Sequence, residues 1–342
     1  MSRVLIALIA IFFAIALTAI ALTESPEEID AYFDASDCVR AAVTDSRSRT
    51  LRGIEDIAPL PDGYMLISAY DRDNPDVPGV GIYLLGVDEL DPQVPAVATA
   101  IDGILPVVDG FRPHGIATDR RGRRLAFVNR YDQRKAEVVW GELAGFTFRL
   151  SDRWEGEGSC RANDLAWRGG ELVATIDRGA CGLSVFDLVP GATTGRAVSL
   201  GFNRVADIAE DLSFPNGILT SRGDVLVAET RKNRIVNART GQVYEMPGGP
   251  DNMLAAPGGT IVTAVHPSLF TLWQYRAGFA ERAPSRVVQF DPATGEQVVL
   301  FDDPAGAVFP AATSAHVWQG RLVMSSAHSE GMVVCEKSED PA

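Results

Sequence analysis

Short apolar runs recur six times along the chain: MLIS from Met65, LAFVN from Leu125, LVATI from Leu172, VLVAE from Val225, IVTAV from Ile261 and LVMSS from Leu322. Each is rich in β-branched residues and too short for a helix, so each reads as a strand. Six to eleven residues before each run stands a polar residue leading into a small apolar stretch. These are Glu55-Asp56-Ile57, His114-Gly115-Ile116, Asn163-Asp164-Leu165, Asn216-Gly217-Ile218, Asp251-Asn252-Met253 and Ser314-Ala315-His316. Turn residues separate the two halves: PDG at Pro61, DRRG at Asp119, RGG at Arg168, SRG at Ser221, PGG at Pro257 and QG at Gln319. The unit is therefore strand, tight turn, strand. GIYLLGV and RVVQF supply further strands, and long amphipathic helical patterns are nearly absent.

The second-strand starts lie 36 to 61 residues apart. Six strand units at that spacing predict radial repetition, an all-β six-bladed β-propeller. In such a ring the innermost strand of each blade begins near the central axis, so polar residues at one phase of the repeat converge there. Glu55, His114, Asn163, Asn216, Asp251 with Asn252, and Ala315-His316 from the last blade then offer mainly carboxylate and amide oxygens, which suit a hard cation such as Ca²⁺ better than Zn²⁺. Each polar dipeptide taken alone also reads as a turn former.

Ahead of the repeats, residues 4–22 form one uncharged apolar run, preceded by Arg3 and followed by Glu24, Glu27, Glu28 and Asp30. As a helix it would span roughly 28 Å, about the thickness of a bilayer core. The expectation is a hydrophobic anchor helix or signal peptide over residues 1–23, with the propeller over 24–342 exported and the membrane a partner through this segment. Export makes the cysteines readable. Cys38 and Cys335 flank almost the whole repeat region and are expected to pair and fasten the ring, with Cys160–Cys181 as a shorter second bridge.

Composition narrows the function. The chain has 342 residues, is 46% hydrophobic and 22% charged, and carries a net charge of −14. So acidic a protein repels phosphate backbones, which excludes nucleic acid as the expected partner. No G-x-S-x-G elbow, H-E-x-x-H zinc pair, Walker A loop or Cys-x-x-Cys occurs.

The motifs GIEDIA at Gly53, FRPHGIAT at Phe111, AND at Ala162, FPNGI at Phe214, PDNM at Pro250, AVHP at Ala264 and the C-terminal AHSEGMVVCE run in order across the mature chain. With them the chain resembles the paraoxonase/arylesterase family, calcium-dependent six-bladed propellers related to the wider gluconolactonase-like group. The resemblance implies two calcium ions. The catalytic one would be held by Glu55, Asn163, Asn216, Asp251 and Asn252, and a deeper structural one by Asp56, Asp164 and the backbone carbonyl of Ile116. It further implies that His114 activates water, with Asp251 and His266 as additional catalytic candidates. The expected activity is calcium-dependent hydrolysis of small-molecule carboxylic esters, most of all lactones. The alternative is a non-catalytic, calcium-stabilised propeller acting as a binding module.

Two departures from the family are visible. Its partner histidine falls at Arg130, and a guanidinium cannot relay a proton. In place of an aromatic helix after the third blade stands the short DRGACGLSVFD, while SLFTLWQYRAGFAERAP from Ser268 supplies an apolar cluster of Leu269, Phe270, Leu272, Trp273, Tyr275 and Phe279. That cluster reads as a pocket wall or a membrane-facing element.

Overall fold

The structure, a computed structural model, describes residues 13, 26–105, 110–132, 135–179, 181, 192–201 and 204–337. The anchor expected over residues 4–22 lies outside the described residues. Among the described residues no helix is long and apolar enough to cross a membrane.

Six sheets follow one another along the chain, antiparallel except for Val43–Asp45, which joins the edge of the first in parallel with Ala96–Ala100. Their innermost strands are Ile54–Pro59, Pro113–Thr118, Ala162–Arg168, Pro215–Ser221, Gly249–Ala255 and Ala312–Trp318. Each innermost strand touches the next, and the sixth touches the first, so the sheets close into a six-bladed propeller. The second strands are the apolar runs of the sequence. They are buried on both faces, which is why they read as continuous rather than alternating: all six residues of Ile261–His266 are buried. An apolar cluster fills each of the six seams between neighbouring blades. Leu66, Ile116 and Phe127 pack between the first and second blades, and Phe127 meets Phe148 edge to face.

The ring is closed by strands from both ends of the chain. Cys38–Ala41 pairs antiparallel with Met332–Cys335 as the outer edge of the sixth blade, with Cys38 directly opposite Cys335. A disulfide joins that pair across a sequence separation of 297. Cys160 and Cys181 form the second disulfide. Two disulfides and no free cysteine among the described residues point to an oxidising, exported setting.

One irregularity repeats in every blade. The innermost strand carries one extra residue against its neighbour, between Ile54 and Asp56, Pro113 and Ile116, Ala162 and Leu165, Pro215 and Ile218, Pro250 and Met253, and Ala312 and Ser314. A β-bulge breaks strict alternation and re-aims side chains. Here six bulges at one level turn pairs of adjacent residues toward the axis.

Candidate functional site at the hub

The upper residue of each bulge is Glu55, His114, Asn163, Asn216, Asp251 or Thr313, and the lower is Asp56, Gly115, Asp164, Gly217, Asn252 or Ser314. All ten non-glycine members are buried. The sixth pair corrects the sequence reading, which put the polar phase of that blade at Ala315-His316. The register places it at Thr313-Ser314. His316 lies instead in the strand body, stacked near Trp318, and burial pushes its imidazole down to about 4.

Contacts run around the ring from blade to blade. Glu55 meets His114. Asp56 Oδ2 accepts from the Ile116 N–H at 2.8 Å, and Asp164 Oδ2 accepts from the Ile218 N–H at 2.8 Å. The Thr175 hydroxyl donates to the Asn216 carbonyl at 2.5 Å. A methyl at Gly115 would stand 2.5 Å from the Asn163 carbonyl, and one at Gly217 2.3 Å from that of Asp251. Only glycine lets these blades approach so closely. Asn252 Nδ2 reaches the Glu55 carbonyl at 3.4 Å, Thr313 Oγ1 the same carbonyl at 2.6 Å, and Ser314 Oγ lies 3.2 Å from Asp56 Oδ1. The structure thus brings Glu55, Asn163, Asn216, Asp251 and Asn252 to one hub. Ile116 meets Asp56 through its N–H.

The two tiers differ electrostatically. Burial and the neighbouring Glu55 charge push Asp56 well above the usual carboxylate range. Burial and the Asp56 charge do the same to Asp164. Two buried carboxylates that repel each other call for a proton or a cation between them. In the upper tier burial opposes ionisation of Glu55, yet the Arg72 guanidinium and His114 hold it down to about 2. His114 itself is pushed down to about 3 by burial and the Arg130 charge, so over most of the pH range it is neutral. His266 Nε2 lies 2.8 Å from Asp251 Oδ2, and burial raises the Asp251 carboxyl against that hydrogen bond.

The donor set fits a hard cation. Among the described residues no three His, Cys, Asp or Glu side chains gather at metal-binding range, so neutral amides would have to supply part of any ion's shell. The hub combines amide oxygens with carboxylates. Asn163 and Asn216 are 5% and 8% exposed and make no side-chain hydrogen bond among the described residues. Their amides keep a small exposed face at the hub and are free to meet a ligand there. Arg72 stands against Glu55 and His114 Nδ1, so an ion taking Glu55 would release this guanidinium.

Several residues at the hub escape a sequence reading. Arg72 follows the top of the strand Tyr64–Ala69. Arg130 donates to the Ala162 carbonyl at 2.9 and 2.7 Å and to Asp177 at 3.1 Å. Asp177 lies just beyond the upper end of the second strand Glu171–Ile176, as His266 ends Ile261–His266, a repeated position that would have flagged it. The apolar cluster after His266 is a helix, Leu269–Arg276, capped by Ser268. Trp273 and Phe279 are 51% and 74% exposed there. A cavity of about 1830 Å³ opens on the opposite face, past Ile116 and Ile218, and reaches up to Asp56 and Asp164.

No family model matches the chain, and neither does any curated protein. Solved structures share its architecture. A gluconolactonase from Xanthomonas campestris, 17% identical, is covered over 98% of its length and covers 91% of this chain, with a TM-score of 0.50. The PQQ-bound aldose sugar dehydrogenase of Streptomyces coelicolor, 11% identical, covers 87% of this chain and is covered over 96% of its own, with a TM-score of 0.51. At these identities the likeness shows the six-bladed fold, and its two bearers have unrelated chemistries.

Proposed function

We propose that this protein is a calcium-dependent hydrolase of small carboxylic esters, lactones above all, acting at the upper tier of the hub. One observation carries the reading: six aligned bulges deliver carboxylates, unpartnered amides and a carboxylate–histidine pair to one buried point. Glu55, Asn163, Asn216, Asp251 and Asn252 would hold the catalytic Ca²⁺, and Asp56, Asp164 and Ile116 a deeper structural one. The bound ion would supply a Lewis acid that polarises the ester carbonyl.

The chain's own residues handle the proton. Asp251 accepts through Oδ2, so His266 donates from Nε2 and keeps Nδ1 as its basic atom. That Nδ1 is buried and unpartnered among the described residues. The His266–Asp251 pair is thus the candidate base for an attacking water, with Asp251 fixing the imidazole tautomer and balancing the imidazolium. His114 serves differently. Its Nδ1 lies against both the Glu55 carboxylate and the Arg72 guanidinium, which hold the ring at the hub, and burial with the Arg130 charge keeps it neutral over most of the pH range. The apolar segment 4–22 would export or tether the enzyme.

Hydrolysis of a lactone and aryl-ester panel, with and without chelator, tests this. Chelation and Asn216→Ala should each abolish turnover, and His266→Ala should lower kcat by about 10²–10⁴. Full activity in chelator would defeat the proposal. The second reading, a calcium-stabilised binding module, is favoured by the Arg72 guanidinium already neutralising Glu55. It predicts calcium binding with no turnover of any ester.

A further inference from the structure

The hub leaves the lower half of the channel unused, and the mouth there carries a charge opposite to that of the chain. The turn below the second blade reads DRRGRR from Asp119, four arginines in six residues, on a chain of net charge −14. Arg120, Arg121, Arg123 and Arg124 line the lower cavity, joined by Arg168 and Arg222 from the corresponding turns of the third and fourth blades. Carboxylates at this rim are few and already engaged. Asp119 pairs with Arg124 at 3.3 Å, and Glu171 takes Arg168 at 2.8 Å. Glu142 stands across the strands from both Arg124 and Arg149. Arg120, Arg121, Arg123 and Arg222 are exposed, and their side chains make no ion pair or hydrogen bond among the described residues.

Two of the guanidiniums are held in place by neighbouring blades. Arg124 stands over the Trp167 ring, 4.1 Å from its centroid, and donates to the Gly169 carbonyl at 2.8 Å, so it crosses from the second blade to the third. Arg222 reaches from the fourth blade to the fifth, where a side chain at Gly259 would collide with its guanidinium. Above the rim the wall turns apolar. Leu60, Trp167, Leu219 and Leu254, from four different blades, are only half-buried and show apolar surface to the cavity. From Arg168 up to Asp164 the inner strand rises by four residues, about 13 Å, which leaves room for an extended tail of about eight carbons below the carboxylates.

An arginine rim over an apolar wall matches a ligand with one charged end and one apolar end. We propose that the lower cavity is a binding site for a single-tailed anionic amphiphile, a medium-chain carboxylate, with its head among the rim arginines and its tail up the channel. A guanidinium presents a planar fork that meets a carboxylate with two parallel hydrogen bonds. The site is concave, which favours a small molecule over an extended polyanion. It opens on the face opposite the upper tier, so the proposal stands whether or not that tier hydrolyses esters.

Titration calorimetry of the full chain tests this, without added calcium so that the carboxylates stay in solution. Octanoate should bind saturably. Butyrate should bind at least about tenfold more weakly, because each buried methylene is worth about fourfold. 1-Octanol, the neutral match, should also bind at least about tenfold more weakly, whereas an apolar pocket alone would prefer it to the acid. In the triple variant Arg120→Gln, Arg121→Gln, Arg123→Gln, octanoate should lose at least about tenfold while octanol is unchanged. Those side chains are exposed on a turn, so an unchanged melting temperature verifies the fold. Arg222→Gln, on a different blade, should weaken octanoate at least about threefold by itself. The proposal is overturned if octanoate does not bind, if inorganic phosphate or octanol matches it, or if both variants bind it as tightly as wild type. That last result would move the ligand elsewhere, as onto the exposed aromatic residues of the helix Leu269–Arg276. Binding to phosphatidylglycerol vesicles with no binding of octanoate overturns it in favour of a membrane surface.

Discussion

Asp164 offers the sharpest test of a cation in the lower tier. Its carboxylate accepts from the Leu165 N–H at 2.7 Å and the Ile218 N–H at 2.8 Å, and the Asp56 charge opposes its ionisation. In Asp164→Asn one of those acceptors is lost, costing about 1 kcal/mol, while the repulsion from Asp56 is relieved. The two effects oppose, so the metal-free variant should melt close to wild type. Calcium separates them. At a hundredfold excess over Kd, binding stabilises wild type by about 2.7 kcal/mol. With about 300 ordered residues the unfolding entropy is about 0.6 kcal/mol per degree, so wild type should rise by about 4 °C and the variant by less than about 1 °C. The sign of the pH dependence also follows. Asp56 and Asp164 have folded-state pKa values raised above the unfolded value, so their protonated forms stabilise the metal-free fold at low pH, and that contribution is lost as pH rises toward neutrality. Calcium displaces the proton, so its stabilising effect should grow between pH 5 and 8. One displaced proton gives about 1.4 kcal/mol, or about 2 °C, per pH unit. Differential scanning calorimetry in calcium and in chelator measures all of this. A wild-type melting temperature indifferent to chelator at every pH, or a full calcium shift in Asp164→Asn, would refute the reasoning.

Two further outcomes concern the scaffold. Replacing Cys38 and Cys335 by serine opens a loop with a sequence separation of 297, worth at most about 5.7 kcal/mol in the loop-entropy model. The separation at Cys160–Cys181 is 21, worth about 3.4 kcal/mol, so thermal melts should show the larger loss, about 9 °C against about 5 °C, at the ring closure. His316 is pushed down to about 4 by burial alone. It is neutral in both states above about pH 6.5, and below that only the unfolded chain protonates readily, so stability falls as pH drops toward 4, by about 3 kcal/mol in all. Denaturant titrations of His316→Leu between pH 4 and 7 should show a shallower slope than wild type by that amount, and identical slopes would exclude the assignment.

The ring and most of its hub were legible because one physical requirement is written six times. A strand that begins at the axis needs a polar residue where it meets the channel, then apolar residues where it enters the seam. Glu55-Asp56-Ile57 and Asn163-Asp164-Leu165 state this plainly. The sixth blade obeys the rule with Thr313-Ser314, whose hydroxyls look like any turn, and His316 drew the eye two residues too far. Period-two alternation would also send Glu55 and Asp56 to opposite faces of the strand. The bulge between Ile54 and Asp56 overrides it, so Asp56 can accept from the Ile116 N–H while Glu55 meets Arg72 above.

Arg72 was illegible for the complementary reason. It lies in residues 70–80, the connection from second to third strand in the first blade, and residues 267–284 form the same connection in the fifth. Nothing in the repeat fixes the length or content of those connections, because they cross open space above the hub and pack into no seam. The same freedom lets one of them carry the helix Leu269–Arg276 with Trp273 and Phe279 in solvent. The hub residues and the loop residues therefore answer to different constraints. A change at Asn163 or Gly217 must preserve six blades' contacts at once, whereas the connections stand outside the seams. Residues on these connections can therefore change singly while the ring of bulges that brings Glu55, Asn163 and Asn216 together stays intact.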